Sequence, residues 1–420
     1  MSLQARRLFV FAMAALSALA AGQMFAAPFS VGTLVVERIG DGSTVLSNAS
    51  FPVAVLEVTT SGSVAQTISL ATSGSNQQTD SGSATSNGYL NTYFSGTVGY
   101  VSVPGLNLGT GTTSAAGTNT KVNSTLDASG SVINRTLFPT GGPPASPFSG
   151  NNFRSSIALS GSTFYAAGTA SGSPNTGGVW YYDGSAFTQV SSTASTVSVT
   201  NIRNVEIYNN QLYFSSSSGT FLGISALGSG LPTTGPLLPS LTINMGSGAS
   251  PYAFVMFSTG SQGAGVLDLA YIADDRSATG GGLQKWTFNG ASWSNSWSLL
   301  VGASGTSTLS STTSTGFAGL RGLTGTWDAV TGATLYATTA AETNNNRLIS
   351  ILDSGITPTS YTTLASAGTN YVFRGVDVSP VAPVPEPSAL VLAAVGGAAA
   401  VAAGWRRRVS RSRAAGPKLS

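Results

Sequence analysis

Ile202-Arg203-Asn204-Val205-Glu206-Ile207, an Asn209-Asn210 turn, and Gln211-Leu212-Tyr213-Phe214 make up the stretch that decides the fold. β-Branched and aromatic residues on both sides of the turn suit strands, and Asn-Asn suits a two-residue hairpin loop. The same order recurs along the chain. Phe153-Arg154-Ser155-Ser156-Ile157 leads through a glycine turn to Thr163-Phe164-Tyr165-Ala166. Leu320-Arg321-Gly322-Leu323 leads to Ala333-Thr334-Leu335-Tyr336-Ala337. Phe373-Arg374-Gly375-Val376-Asp377-Val378 opens in the same way and then lacks its second strand. Looser copies begin near Tyr89-Leu90 and Tyr252-Ala253.

With Leu90, Arg154, Arg203, Tyr252, Arg321 and Arg374 as equivalents, the starts lie 64, 49, 49, 69 and 53 residues apart. Two more strands follow each hairpin, as in Gly178–Tyr182 and Phe187–Val190 or Leu283–Phe288 and Trp297–Val301. Four-stranded units with variable loops repeat at this period, and no long 3.6-residue periodicity interrupts them. The expected fold is all-β, a six-bladed β-propeller. Thr33–Ile39, Val53–Thr59 and Ala65–Leu70 should complete the last blade, pairing the N-terminal strands with Tyr371–Val378. A pair of β-sandwiches or a β-solenoid would explain the strand density, but not the recurring start.

Both ends differ from this body. Met1–Ala27 has Arg6 and Arg7, an apolar run Leu8–Ala21 and small residues before Pro28, the order of a secretory signal peptide. Pro28–Pro383 is then the body, and Val384–Ser420 a separate tail. In the tail, Val384-Pro385-Glu386-Pro387-Ser388 precedes an uncharged stretch read as a transmembrane helix over Ala389–Trp405. Ser388 can cap that helix. Arg406, Arg407 and Arg408 should anchor its far end on the cytoplasmic side by the positive-inside rule.

This three-part tail resembles the PEP-CTERM sorting signal of Gram-negative bacteria, with Pro385, Glu386 and Pro387 matching the motif. The resemblance implies recognition by an exosortase-type transpeptidase and cleavage near the motif. It implies transient anchoring in the inner membrane, then release or reattachment at the cell surface or in the extracellular matrix. An ordinary single-pass anchor is the alternative. The body resembles an uncharacterised family of exported bacterial propeller-like proteins, through Leu34–Gly42, Val53–Glu57 and Ser149–Arg154. That resemblance implies fold and export, and no activity.

Composition narrows the chemistry. Charged residues are 8% of the chain, against about 25% in ordinary soluble domains. The formal charge of +3 comes from the ends: without Arg6, Arg7 and the six basic tail residues, ten basic residues face the chain's fifteen acidic ones. No nucleic-acid footprint remains. The chain has no cysteine and no histidine, which excludes disulfides, thiol nucleophiles, His-assisted serine triads and His- or Cys-ligated zinc.

Arg154, Arg203, Arg321 and Arg374 are the candidate ligand-binding residues, a ring on the inner strands able to hold an anionic group. The alternative is ion pairing between blades, with Glu206 or Asp377 as partners. Asp274-Asp275 and Asn344-Asn345-Asn346 offer oxygen atoms to calcium but lack the spacing of a calcium loop, so no metal site or cofactor is expected. Trp180-Tyr181-Tyr182, Trp286, Trp293 and Trp297 are either exposed faces for stacking on polysaccharide or packing between blades. Two function classes remain: a non-catalytic surface or matrix protein, the favoured one, or an exported calcium-dependent hydrolase using Asp and Glu.

Overall fold

The structure is a computed structural model that describes residues 26–141, 146–171, 174–192, 199, 201–313, 315–340 and 345–382. Contacts divide the chain into Met1–Val381 and Ala382–Ser420, and every strand of the described residues lies in the first unit. The signal peptide apart from its last two residues, the sorting residues Val384–Ser388, the expected helix and Arg406–Arg408 lie outside the described residues. Among the described residues, no helix is long and apolar enough to cross a membrane.

The described chain is all-β. The first strands are β1 (Leu34–Gly40), β2 (Ser50–Val58), β3 (Val64–Ser69) and β4 (Thr79–Ser81), then β5 (Asn91–Ser95), β6 (Val98–Leu106), β7 (Lys121–Asp127) and β8 (Val132–Leu137). Next come β9 (Phe153–Ala158), β10 (Phe164–Gly168), β11 (Gly178–Tyr182) and β12 (Phe187–Gln189), and β13 (Ile202–Tyr208), β14 (Gln211–Ser216), β15 (Gly223–Leu227) and β16 (Pro239–Asn244). They are followed by β17 (Pro251–Phe257), β18 (Leu269–Asp274), β19 (Gly282–Phe288), β20 (Trp293–Val301) and β21 (Leu309–Ser310). The last strands are β22 (Leu320–Asp328), β23 (Gly332–Thr339), β24 (Arg347–Asp353), β25 (Thr362–Ser366) and β26 (Tyr371–Val378).

These strands form a propeller arrangement with four discrete blades, β9–β12, β13–β16, β17–β21 and β22–β25, and not the six expected. The remaining strands form one nine-stranded sheet. Its two four-strand runs, β26-β1-β2-β3 and β5-β6-β7-β8, are joined because β4 pairs with both β2 and β6. Three polar residues, Thr79-Asp80-Ser81, make that link, and all three are buried. Such a short polar strand has no periodic signal, which is why the fusion was not expected.

The expected joining of the two ends is present. β1 pairs antiparallel with β26, from Leu34 opposite Val378 to Gly40 opposite Tyr371. On its other edge β1 pairs with β2, and Leu34, Val35, Val36 and Ile39 are all buried. Each discrete blade, by contrast, comes from one continuous stretch through short turns. Between β13 and β14 both Asn209 (φ 49°) and Asn210 (φ 58°) are left-handed, as a two-residue hairpin turn of the favoured twist requires.

The inner strands β5, β9, β13, β17, β22 and β26 pack side by side in a closed cycle. Tyr89 and Ser155, next to the first pair, form a parallel bridge. Two glycines make such approach feasible. A Cβ on Gly322 would lie 2.5 Å from the Arg374 carbonyl oxygen, and one on Gly375 would lie 2.6 Å from the Leu90 nitrogen. Both follow an arginine of the repeat, so Leu-Arg-Gly and Phe-Arg-Gly record strand contact as well as strand start.

Candidate functional site

Five inner strands carry a register shift at the same place. In β9 Arg154 is the extra residue between two paired ones, and in β13 it is Arg203. In β17 Tyr252 and Ala253 oppose one residue, in β22 Arg321 and Gly322, and in β26 Arg374 and Gly375. A β-bulge bends the strand and re-aims its side chains. The recurring arginine is therefore a bulge residue. Hydroxyls on second strands take up the freed amides: Asn204 N donates to Ser215 Oγ at 3.0 Å, and Gly322 N to Thr338 Oγ1 at 2.9 Å.

The bulges bring the four arginines around a tyrosine pair, Tyr89 and Tyr252, whose ring centroids are 5.6 Å apart. Arg203 lies over the Tyr252 ring at 4.4 Å, donates to its hydroxyl at 2.5 Å and reaches Ser217 at 3.0 Å. Arg321 also faces Tyr252, at 5.7 Å, and pairs with Asp275 at 3.4 Å. Arg154 donates to Asn201 and to the Ile202 carbonyl. Burial, then the neighbouring Arg203, pulls its pKa down to about 9. Arg374 is buried and donates to the Gly82 carbonyl at 3.1 Å. The expected ion pairs with Glu206 and Asp377 are not formed among the described residues. Carbonyls, two hydroxyls, an asparagine and Asp275 hold these arginines instead.

Arg374 stands in a buried group that sequence reasoning missed. Glu37 and Asp80 act on it electrostatically from β1 and β4, yet neither comes within ion-pair distance. Both Glu37 carboxylate oxygens, Asp80 Oδ2, Asn87 Oδ1 and Arg374 Nε lack a hydrogen-bond partner among the described residues. Burial pushes the Glu37 carboxyl well above its usual range, and Asp80 adds to the shift. Asp80 itself is pushed up to about 6, chiefly by burial.

Three residues beyond their arginines, Glu206 and Asp377 line a cavity of about 180 Å³ among the inner strands. Strand rise places this level about 10 Å from the arginines. Asp377 is well bonded: Oδ2 accepts from Thr92 N at 2.7 Å, and Oδ1 accepts from Thr324 Oγ1 and Val378 N, both at 2.7 Å. Glu206 receives one long bond, from Asn204 Nδ2 at 3.3 Å. Burial and then Asp377 raise the Glu206 carboxyl well above its usual range, and burial raises Asp377 to about 6.

The other candidate residues are committed to packing or pairing. Asp274 is buried and ion-paired with Arg276 at 2.7 Å, and Asp275 is paired with Arg321. Asn346 is buried, with its amide group bridging Thr339 and Phe373, and Asn345 accepts from Gly368 N. Among the described residues, no group of three or more carboxylates is placed to hold a metal. Trp180 and Trp286 are buried, with their indole N–H groups bonded to Thr176 O and Gln284 Oε1, so neither face is free to stack on a sugar. Trp293 and Trp297 are half-buried against Phe288 and Tyr271. A larger hollow of about 400 Å³ lies between the outer strands β3 and β8. Its charged residue, Arg135, is already spent on the Ser75 and Gln77 carbonyls and Asn107.

No curated protein matches the chain. Among solved structures, a 6-phosphogluconolactonase candidate from Bacteroides uniformis is similar at 12% identity and TM-score 0.39, over 84% of this chain and 85% of that one. A second such candidate, from Bacteroides fragilis, is similar at 10% identity and TM-score 0.41, over 79% and 81%. Lignostilbene dioxygenase from Pseudomonas brassicacearum is similar at 9% identity and TM-score 0.34, over 84% and 93%. The tail gives a more specific match: residues 383–408 fit the family model of the PEP-CTERM protein-sorting motif. The chain is thus a propeller-like body followed by a PEP-CTERM sorting motif, the mark of an exported protein sorted by an exosortase.

Proposed function

We propose that the chain is a non-catalytic surface or matrix protein of a Gram-negative bacterium, whose body is displayed after exosortase processing. The sorting-motif match over residues 383–408 carries this reading. Processing falls near Pro385-Glu386-Pro387, and the body before it leaves the inner membrane for the cell surface or extracellular matrix. The absence of cysteine and histidine from the whole chain supports a displayed module over a hydrolase. We count the two runs of the nine-stranded sheet as two further blades joined by β4, a reading supported by the closed cycle of six inner strands. Within this body, Arg203 and Arg321 are the half-buried members of the arginine set, and donors not used on Ser217, Tyr252 and Asp275 remain for an anionic group.

The test is made in the native host. Deleting Pro385–Pro387 while keeping the apolar stretch should trap full-length protein in the inner membrane. Fractionation and immunoblotting read the outcome. Maturation and surface arrival at the level of the unaltered chain would refute the sorting reading.

A further inference from the structure

The cavity at Glu206 and Asp377 has features that sorting and display do not explain. Two carboxyls face it, and no lysine or arginine lines it. Neither acid is in an ion pair among the described residues. Buried acids are normally paired or heavily hydrogen-bonded. Asp377 meets that requirement through three hydrogen bonds, but Glu206 does not. Its residue is 8% exposed, and its carboxyl receives the single 3.3 Å bond from Asn204. The remaining wall is mostly aromatic and apolar, including Phe94, Tyr208, Phe254 and Phe257, with Thr92 and Thr324 as its hydroxyl residues.

We infer that this cavity binds a small organic ammonium ion, with Glu206 as its main charge partner and the aromatic side chains around its apolar body. An ammonium supplies the hydrogen-bond donors that Glu206 lacks, and aromatic faces attract such a cation. Calcium fits poorly, because it takes six to eight oxygen ligands and both Asp377 oxygens are already engaged. An anion is disfavoured by the carboxyl pair. A volume of about 180 Å³ suits a ligand of roughly ten heavy atoms. The site needs residues from five inner strands, β5, β13, β17, β22 and β26, so it exists only once the blades are assembled.

Protonation sets the sign of its pH dependence. The titratable groups lining the cavity are Glu206 and Tyr208 on β13 and Asp377 on β26, whereas β5, β17 and β22 contribute uncharged side chains. Both carboxyls titrate above their ordinary ranges, so acidification weakens the attraction for a cation and raising the pH strengthens it.

Calorimetric titration of the full chain tests the site with benzylammonium, its neutral counterpart benzyl alcohol, and calcium chloride. Benzylammonium keeps its charge from pH 5 to pH 8. At pH 8 it should bind one site about ten-fold more tightly than benzyl alcohol, and Glu206→Gln should remove most of that preference. At pH 5 the unaltered chain should bind it several-fold more weakly, a readout that needs no variant to fold. Failure of benzylammonium to bind would overturn the inference. So would equal binding of benzyl alcohol, pH-independent binding, or calcium binding that excludes the amine.

Discussion

Arg203, in the discrete blade β13–β16, and Arg374, in the nine-stranded sheet, sit at the same bulge of two inner strands. Arg203 is half-buried, has hydroxyl partners and stacks on Tyr252, with no acid bonded to it. Arg374 is 2% exposed, bonds a carbonyl, and lies near two buried acids without touching either. The difference follows from connectivity. The blade β13–β16 folds from one stretch and leaves Arg203 only half-buried at its bulge. The nine-stranded sheet brings together residues 34–40, 79–81 and 371–378, and all three residues of the crossing strand β4 are buried. Polar groups enclosed by that crossing have lost water without gaining full partners.

Removing the joint should have the largest effect. A chain beginning at Gly74 lacks β1, β2 and β3, so β26 loses its ladder partner and an inner strand is left with an open edge. Such a chain should lose its cooperative thermal transition or aggregate on size-exclusion chromatography. Trimming Val381–Pro383 should cost far less, because Val381 contributes only an isolated bridge to Val98 and a partly buried contact with the core. If the shortened chain stays monomeric and melts like the intact one, the joint is not what holds the ring closed.

Arg374→Ala comes next. It deletes the hydrogen bond to the Gly82 carbonyl and the positive charge that acts on Glu37 and Asp80, at a cost of about 1–3 kcal/mol in urea unfolding. A loss no greater than that of Arg203→Ala would end the contrast between the two bulges.

The sequence makes much of this comparison legible, and its gaps have physical causes. The recurrence around Arg154, Arg203, Arg321 and Arg374 located the inner strands because one local geometry repeats. The bulge itself was hidden, and with it the side-chain directions, since one extra residue changes which face the following residues occupy. Spacing alone therefore leaves Glu206 and Asp377 as candidate partners for arginines of neighbouring blades, whereas both face a cavity. Asp80 lay beyond reach: Thr79-Asp80-Ser81 looks like a loop, and only the crossing from β2 to β6 buries it.

A pH series sharpens the contrast at smaller amplitude. Asp80 and Asp377 are raised to about 6, and Glu37 and Glu206 are raised as well. The folded state thus holds these protons more tightly than the unfolded chain does. For Asp80 and Asp377 this contribution to stability is complete below the unfolded values near 4 and is lost as pH rises through about 6, and Glu37 and Glu206 act with the same sign. The turn acids Asp41, Asp183 and Asp328 behave oppositely, because backbone amides donate to their carboxylates and lower them. Their contribution is present above the unfolded value and disappears in stronger acid. The melting temperature should therefore fall from pH 5 to pH 7.5, and Glu37→Gln should flatten that slope. A melting temperature that rises over this interval would show that the buried acids of the joint keep their ordinary protonation.

The smallest effect belongs to the open bulge, and a double-mutant cycle isolates it. Arg203 and Tyr252 interact through a hydroxyl bond and a ring contact, and the half-buried guanidinium can be partly satisfied by water when the hydroxyl is removed. Tyr252→Phe keeps the ring and its contact with Tyr89 while deleting the hydroxyl. Arg203→Ala deletes both interactions and should cost about 1 kcal/mol. The coupling between the two changes should be about 0.5–1.5 kcal/mol, since the residues touch directly. Pairing Tyr252→Phe with Arg374→Ala should give a coupling near zero, because no direct bond joins those side chains. If the Arg374 cycle shows the larger coupling, the tyrosine pair transmits the buried charge of the joint into the blades. The two bulges would then form one unit instead of two contrasting ones.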